Sequence, residues 1–346
     1  MPKCNIIVVG ASAGGVSALT DFVKSLPQDL PVSVFIVLHT PPYSPSHLPQ
    51  ILTRAGALKA THAEDGEQIE QGRIYIAPPD HHLLLEKGNR MIVKKGPKEN
   101  GFRPCVDALF RSAAYIYGSR VVGVVLSGML DDGTSGMWAI KRRGGITIVQ
   151  HPEDAMYPSM PQNVMQYVAV DHVTPVAKMG ALIGALVMQK AAKNPDLTKE
   201  EMKLLKMEVI IATRGDAFEI GILEMGQLTT FTCPECHGAL VSIFEGQMIR
   251  FRCHTGHAYT TSSLLAGVTQ SVEEKLWEAM RALEETTMLL NQIGAHYKEI
   301  GNVQASKLFI KKGKEIAMRT KIVHDSVFTQ ELMSEDMRFG EGQLYD

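Results

Sequence analysis

The sequence lacks a surplus of charge of either sign. Its 346 residues carry 35 Lys and Arg against 37 Asp and Glu, a formal net of -2. That balance gives no electrostatic case for a nucleic-acid partner or an anionic membrane surface. A bilayer-spanning run is missing too: the apolar stretch from Gly180 to Met188 is far too short to cross, so no membrane insertion is expected. No secretory apolar region precedes the first strand pattern, because Met1-Pro2-Lys3-Cys4 leads almost directly into it. Cysteine is scarce, and the five present are an odd number with three clustered between 233 and 253. That distribution suits metal ligation in a reducing compartment better than a disulfide framework, and a cytoplasmic protein is expected. What is present, 45% hydrophobic and 21% charged residues with 30 glycines, describes a globular chain of two or three units.

From residue 5 to about 190, short Val/Ile runs alternate with helical patterns. The predicted strands are Ile6 to Val9, Val32 to Leu38, Arg73 to Ala77, Val121 to Leu126, Ile146 to Val149 and Val168 to Val170. Continuous rather than alternating apolar runs are buried on both faces, which predicts a doubly wound α/β fold with a largely parallel sheet. Sites in such folds lie beyond the carboxyl ends of strands.

Three strand ends carry chemistry. Ile6-Ile7-Val8-Val9 runs into Gly10-Ala11-Ser12-Ala13-Gly14-Gly15, a Gly-x-Ser-x-Gly turn that can lift the Ser12 hydroxyl clear of the backbone. Taken alone, the motif is more often a glycine-rich turn in which Ser12 only caps a helix, and its spacing does not fit a dinucleotide fingerprint. His39 follows the second strand, and Asp131-Asp132-Gly133 follows Val121 to Leu126. A serine nucleophile needs an imidazole to take its proton, and the imidazole needs a carboxylate to hold its tautomer. All three groups fall at one rim, which points to a serine hydrolase.

Residues 5 to about 190 resemble the catalytic domain of the chemotaxis protein-glutamate methylesterases (CheB). The resemblance is carried by Gly10 to Gly15, His39-Thr40-Pro41, Ala63-Glu64-Asp65-Gly66, Ile74-Tyr75-Ile76-Ala77-Pro78, Arg103 to Phe110, and Leu126 to Gly136. It implies that Ser12 attacks a glutamyl methyl ester, that His39 is base and then acid, and that Asp132, directly before Gly133, orients His39. It implies that the Ala13 N–H and Met129 line the oxyanion region, that no cofactor takes part in catalysis, and that the partner is a methylated chemoreceptor or similar helical signalling protein. Asp131 is then expected to be a solvated loop carboxylate. Phe102-Arg103-Pro104-Cys105 stands where the family commonly has His-Arg-Pro-Ser, and Ala13 where threonine is frequent. Cys105 is expected to be a small core or loop residue. These enzymes usually carry an N-terminal receiver domain, whereas this sequence begins at the first catalytic strand; acetyl phosphate is therefore expected to leave its esterase rate unchanged. The Pro-rich stretch Gln150 to Pro161 reads either as a wall of the substrate cleft or as a plain surface loop.

In the second half, Cys233-Pro234-Glu235-Cys236 faces Cys253-His254-Thr255-Gly256-His257 across a predicted hairpin, Ala239 to Phe244 and Met248 to Phe251. Two such knuckles supply four ligands for a closed, structural zinc. The resemblance favours His257 as the fourth ligand; His254 and His237 are the alternatives. Residues 226 to 270 carry only Glu235, Glu245, Arg250 and Arg252 as formal charges, which argues against a nucleic-acid-binding ribbon. From Ser271 onward Leu276, Met280, Leu283, Thr287, Leu290 and Tyr297, then Phe309, Ile316, Val323 and Val327, predict two antiparallel helices joined at Gly301. The expected organisation is a catalytic domain at 1–190, a linker with a helix at 191–226, a zinc-ribbon-like module at 227–268, a helical hairpin at 269–335 and a flexible tail at 336–346.

Overall fold

The structure, a computed structural model, describes residues 3–43, 45–215 and 217–329. The expected tail and residues 330–335 of the expected hairpin lie outside them. The chain divides into two compact units, Met1–Leu264 and Leu265–Asp346.

The first unit begins with β1 (Ile6–Ala11), α1 (Gly15–Ser25), β2 (Ser33–Leu38), α2 (Leu48–Ala55), β3 (Lys59–His62) and β4 (Arg73–Ile76). A two-stranded hairpin, β5 (His82–Glu86) and β6 (Arg90–Lys94), precedes α3 (Val106–Tyr117), β7 (Val121–Val125), α4 (Thr134–Arg142), β8 (Ile146–Gln150), α5 (Ser159–Tyr167), β9 (His172–Thr174) and α6 (Val176–Met188). Seven strands form one sheet in the order β3-β4-β2-β1-β7-β8-β9, and every neighbouring pair is parallel. The β-branched runs of β1, β2 and β7 are buried along their whole length, as strands covered on both faces must be. Leu19, Phe22 and Ile183 fill one face of the sheet, and Leu109, Phe110 and Ile140 fill the other. This is the doubly wound fold. Strand order reverses between β1 and β7, and the crevice beyond their carboxyl ends is where such a sheet places its site.

Several expectations differ from the structure; the helical stretch expected from Ser271 already begins at Thr261. The last strand lies at His172–Thr174, not Val168 to Val170, because the backbone N–H of Val168 still donates to Val164 and closes α5. The short strand β3 and the β5–β6 hairpin were not predicted; β3 is a four-residue edge strand with little apolar content. The stretch 191–226 is more than a linker. It holds α7 (Lys199–Arg214), started by a capping box between Thr198 and Glu201, and α8 (Ala217–Ile220), and α7 buries Leu205, Glu208, Ile211 and Ala212.

The same unit contains β10 (Gln227–Thr232), β11 (Ala239–Glu245), β12 (Met248–Cys253) and β13 (Ala258–Thr260), an antiparallel sheet in that order. Arg250 and Arg252 of β12 turn inward and are buried with Glu99, Glu208 and Arg111. Arg252 bonds Glu208 and, at 3.0 Å, Glu99; Arg250 bonds Glu245 at 2.9 Å; Arg111 bonds Glu99.

The helix α9 (Thr261–Glu299) starts at the end of the first unit, and α10 (Val303–Thr329) completes the second. Within the second unit the two run antiparallel: Trp277 meets Phe328 at 5.8 Å between ring centroids, and Tyr297 meets Phe309 at 5.5 Å. Gly301 turns between them at φ 81°. No described helix is long and apolar enough to cross a membrane.

Candidate active site

Ser12 sits in the turn between β1 and α1, with its backbone N–H donating to Ser127 O beyond β7 at 3.0 Å. Gly14 makes the turn possible at φ 70°, a conformation that a side chain would strain. His39 stands at the end of β2. Its Nδ1 lies 3.1 Å from Ser12 Oγ and its Nε2 lies 2.7 Å from Asp132 Oδ2, and the side chains of His39 and Asp132 are almost fully buried.

Asp132 is held at the N-terminus of α3. Its oxygens accept from Val106 N at 2.7 Å, Asp107 N at 3.2 Å, Gly133 N at 3.0 Å, Asn100 Nδ2 at 3.0 Å and the Cys105 thiol at 3.0 Å. Burial opposes ionisation, but the bond from His39 and this ring of donors outweigh it and hold the carboxyl well below its usual range. An ionised carboxylate only accepts, so Nε2 carries the ring proton and the Nδ1 lone pair faces Ser12. The arrangement can take a proton from the serine and stabilise the imidazolium that results.

Residues 7–183 match the CheB methylesterase family. The chain belongs to that family. A protein of Leptospira interrogans is 35% identical over 176 residues, which are 51% of this chain and 91% of that protein. The protein-glutamate methylesterase/protein-glutamine glutaminase of Methanosarcina barkeri is 38% identical over 190 residues, 53% of this chain and 52% of that protein; the chain thus spans about half the length of this second relative. The crystal structure of the Thermotoga maritima CheB methylesterase catalytic domain superimposes with a TM-score of 0.52 at 35% identity, covering 54% of this chain and all of that one.

Around Ser12, His39 and Asp132 of this CheB domain, the backbone N–H groups of Ala13 and Met129 donate to no other described group, whereas that of Ser12 is taken by Ser127. Gly128 crosses close to Ser12: a Cβ there would lie 3.0 Å from Ser12 Cβ. The Gln150 to Pro161 stretch reaches the site, since Tyr157 N donates to Ser127 Oγ and Gly128 N to Tyr157 O. Met129, Met156 and Tyr157 form an exposed apolar rim there.

Asp131 is not solvated. It is buried, and Thr260 Oγ1 donates to it at 2.8 Å; desolvation pushes its carboxyl up to about 6 despite that bond. The ribbon that covers it is distant in sequence, so the loop composition alone carried no sign of it. Cys105 is fully buried, and burial with the Asp132 charge beside it drives its thiol well above the ordinary range, the setting of an inert cysteine.

The donors of Cys233, Cys236, Cys253 and His257 all lie within 4.8 Å of one another. Cys236 Sγ is 3.7 Å from Cys253 Sγ, and His257 Nδ1 is 3.6 Å from the sulfurs of both Cys233 and Cys253. Sulfurs on a tetrahedral zinc stand about 3.8 Å apart, so this donor set fits that ion. His237 and His254 are not in the group. Sequence reasoning passed over Asn100 and the buried Glu99, Arg111 and Glu208. Two signals were available: the Asn100-Gly101 dipeptide, a turn former, and Glu208 on the same helical face as Leu205, Ile211 and Ala212.

Proposed function

We propose that the protein is a serine-type protein-glutamate methylesterase that releases methanol from glutamyl methyl esters on a methylated chemoreceptor or similar helical signalling protein. The observation that carries this is the continuous chain Ser12 Oγ, His39, Asp132 at 3.1 and 2.7 Å, in a member of the CheB methylesterase family. His39 Nδ1 takes the Ser12 proton as Oγ attacks the ester carbonyl, and Asp132 stabilises the imidazolium. The unused N–H groups of Ala13 and Met129 receive the oxyanion. His39 then gives the proton to the departing methoxide, and a water molecule, deprotonated by His39, frees the glutamate. The Met129, Met156 and Tyr157 rim gives an amphipathic receptor helix an apolar seat beside the ester. We assign Cys233, Cys236, Cys253 and His257 to a structural zinc, which when bound would tie the ends of the ribbon and leave catalysis to the triad. The cytoplasm, where the receptor face would be met, is the proposed location.

Methanol release from methylated receptor tests the reading. Ser12→Ala should lower kcat by roughly 10⁴-fold or more with receptor binding retained. Wild-type turnover no faster than that of Ser12→Ala would defeat it in favour of a non-catalytic scaffold.

A further inference from the structure

The turn Glu99-Asn100-Gly101-Phe102 touches the triad on one side and the ribbon on the other. Glu99 and Phe102 exchange both backbone hydrogen bonds, at 3.2 and 2.9 Å, and Asn100 and Gly101 have φ of 53° and 79°. A two-residue turn with both central residues at positive φ is the one that Asn-Gly favours. Toward the triad, Asn100 Nδ2 donates to Asp132 Oδ1 and to Asp107 Oδ2, each at 3.0 Å. Toward the ribbon, Asn100 N donates to Ala258 O at 2.7 Å, and Asn100 Oδ1 accepts from Thr260 N and Ser263 Oγ, each at 3.0 Å. Turned over, the amide would set its oxygen against the Asp132 carboxylate and its N–H groups against the Thr260 N–H. Ala258 directly follows His257, whose carbonyl accepts from Cys253 N at 2.9 Å. One strand end therefore runs from the Cys–His knuckle to Asn100, and Asn100 runs to the carboxylate that holds His39.

We propose that Asn100 is a positioning residue through which the ribbon strand Ala258–Thr260 holds Asp132 in register with His39, so that loosening the ribbon slows turnover while Ser12, His39 and Asp132 stay intact. This rests on reading those three residues as the esterase triad. Freed from its ribbon donors, the Asn100 amide can swing away from Asp132. A shift of about 1 Å in the carboxylate that orients the imidazole costs up to about 100-fold in rate.

The test uses the full chain with Asn100→Ala, Cys236→Ser and the double variant. It reads kcat and KM for methanol release, the pH profile, and amide hydrogen exchange. Asn100→Ala should lower kcat about tenfold or more with KM within about twofold. It should also move the acid limb of the kcat profile to higher pH, because Asp132 loses a donor and becomes more basic. Cys236→Ser should release the amides of Asn100 and Thr260 to exchange while those of β1 and β7 stay protected, and should slow kcat comparably. The double variant should be no slower than the slower single one, since both act through one contact. Full kcat and an unmoved pH profile in Asn100→Ala overturn the proposal, as do multiplying losses with the Asn100 amide still protected in Cys236→Ser. Should Cys236→Ser fail to fold, Ser263→Ala removes one ribbon donor to Asn100 and is read in its place by the same criteria. Ser12→Ala separates the two readings: if it turns over like wild type the triad assignment fails, while exchange still reports whether the ribbon holds Asn100.

Discussion

Phe102 lies flat on the imidazole of His39, with ring centroids 3.8 Å apart and planes 8° from parallel. A stacked ring restricts rotation of the imidazole, which must keep Nδ1 toward Ser12 and Nε2 toward Asp132. Such a pair is worth about 1 kcal/mol, or about fivefold in rate if it is all spent on orientation. Phe102→Ala should therefore lower kcat about threefold to tenfold with little change in KM. Phe102→His keeps a flat ring over His39 and should stay within about twofold of wild type. Steady-state methanol release decides both, and an unchanged kcat in Phe102→Ala would show that packing elsewhere fixes the imidazole.

Asp131 contributes a dependence on pH opposite in sign to that of the paired carboxylates such as Asp132 and Glu208. Burial raises its carboxyl from 3.8 to about 6, so its contribution to stability is complete below about pH 4 and is lost as pH rises through 6. At pH 8 the ionised, buried group costs about 3 kcal/mol. Asp131→Asn keeps an oxygen for Thr260 and removes that charge. The variant should unfold at higher temperature than wild type at pH 8, and the gain should fade as pH falls from 6 to 4. A gain that grows toward acid pH would mean that Asp131 is not the group responsible.

The α/β half was legible because its strands are continuous Val/Ile runs with chemistry-bearing side chains at their ends, so Ser12, His39 and Asp132, which the structure brings together, could be picked out one strand at a time. The surroundings of Asp131 were not legible, since Thr260 lies in a different module and no local pattern joins the two. Arg250 and Arg252 read as ordinary ribbon charges until β12 turned them inward toward Glu208. Burying them in ion pairs also withholds them from solvent. Long-range ionic matching of this kind has no periodicity to detect.

That buried network is balanced. Burial and the neighbouring Asp132 charge push the Asp107 carboxyl well up, leaving Glu99, Glu208 and Glu245 against Arg111, Arg250 and Arg252. Glu208 sits between Arg250 and Arg252, so Glu208→Gln leaves a buried positive charge uncompensated. The expected loss is about 3–5 kcal/mol in urea unfolding. Adding Arg252→Met to Glu208→Gln restores the balance and should recover part of it.

The Cys233, Cys236, Cys253 and His257 cluster makes metal content measurable. Protein purified without chelator should carry one zinc per chain by elemental analysis, and a chelator should lower the melting temperature, because ligand binding to the folded state is folding free energy. Zinc-free protein with an unchanged melting temperature would reduce the four residues to a half-buried thiol–imidazole cluster.

Gly128 offers a probe of the placement of Ser12, the proposed nucleophile, that leaves Ser12, His39 and Asp132 in the chain. A Cβ at this position would come 3.0 Å from Ser12 Cβ and 2.0 Å from Met160 Sδ. Met160 is fully buried, so its sulfur has little room to yield, and the strain falls on the loop that carries Gly128 and on Ser12. The overlap costs about 1–3 kcal/mol in stability, which a folded domain of this size tolerates. Displacing Ser12 Oγ from His39 Nδ1, now 3.1 Å away, is far less tolerable, because a misplacement of about 1 Å can cost about 100-fold in rate. Gly128→Ala should thus remain folded by circular dichroism, melt a few degrees lower and lose methanol release out of proportion to that change. If activity falls only in step with the folded fraction, Gly128 serves packing and the Ser12 position is fixed from the β1 side alone.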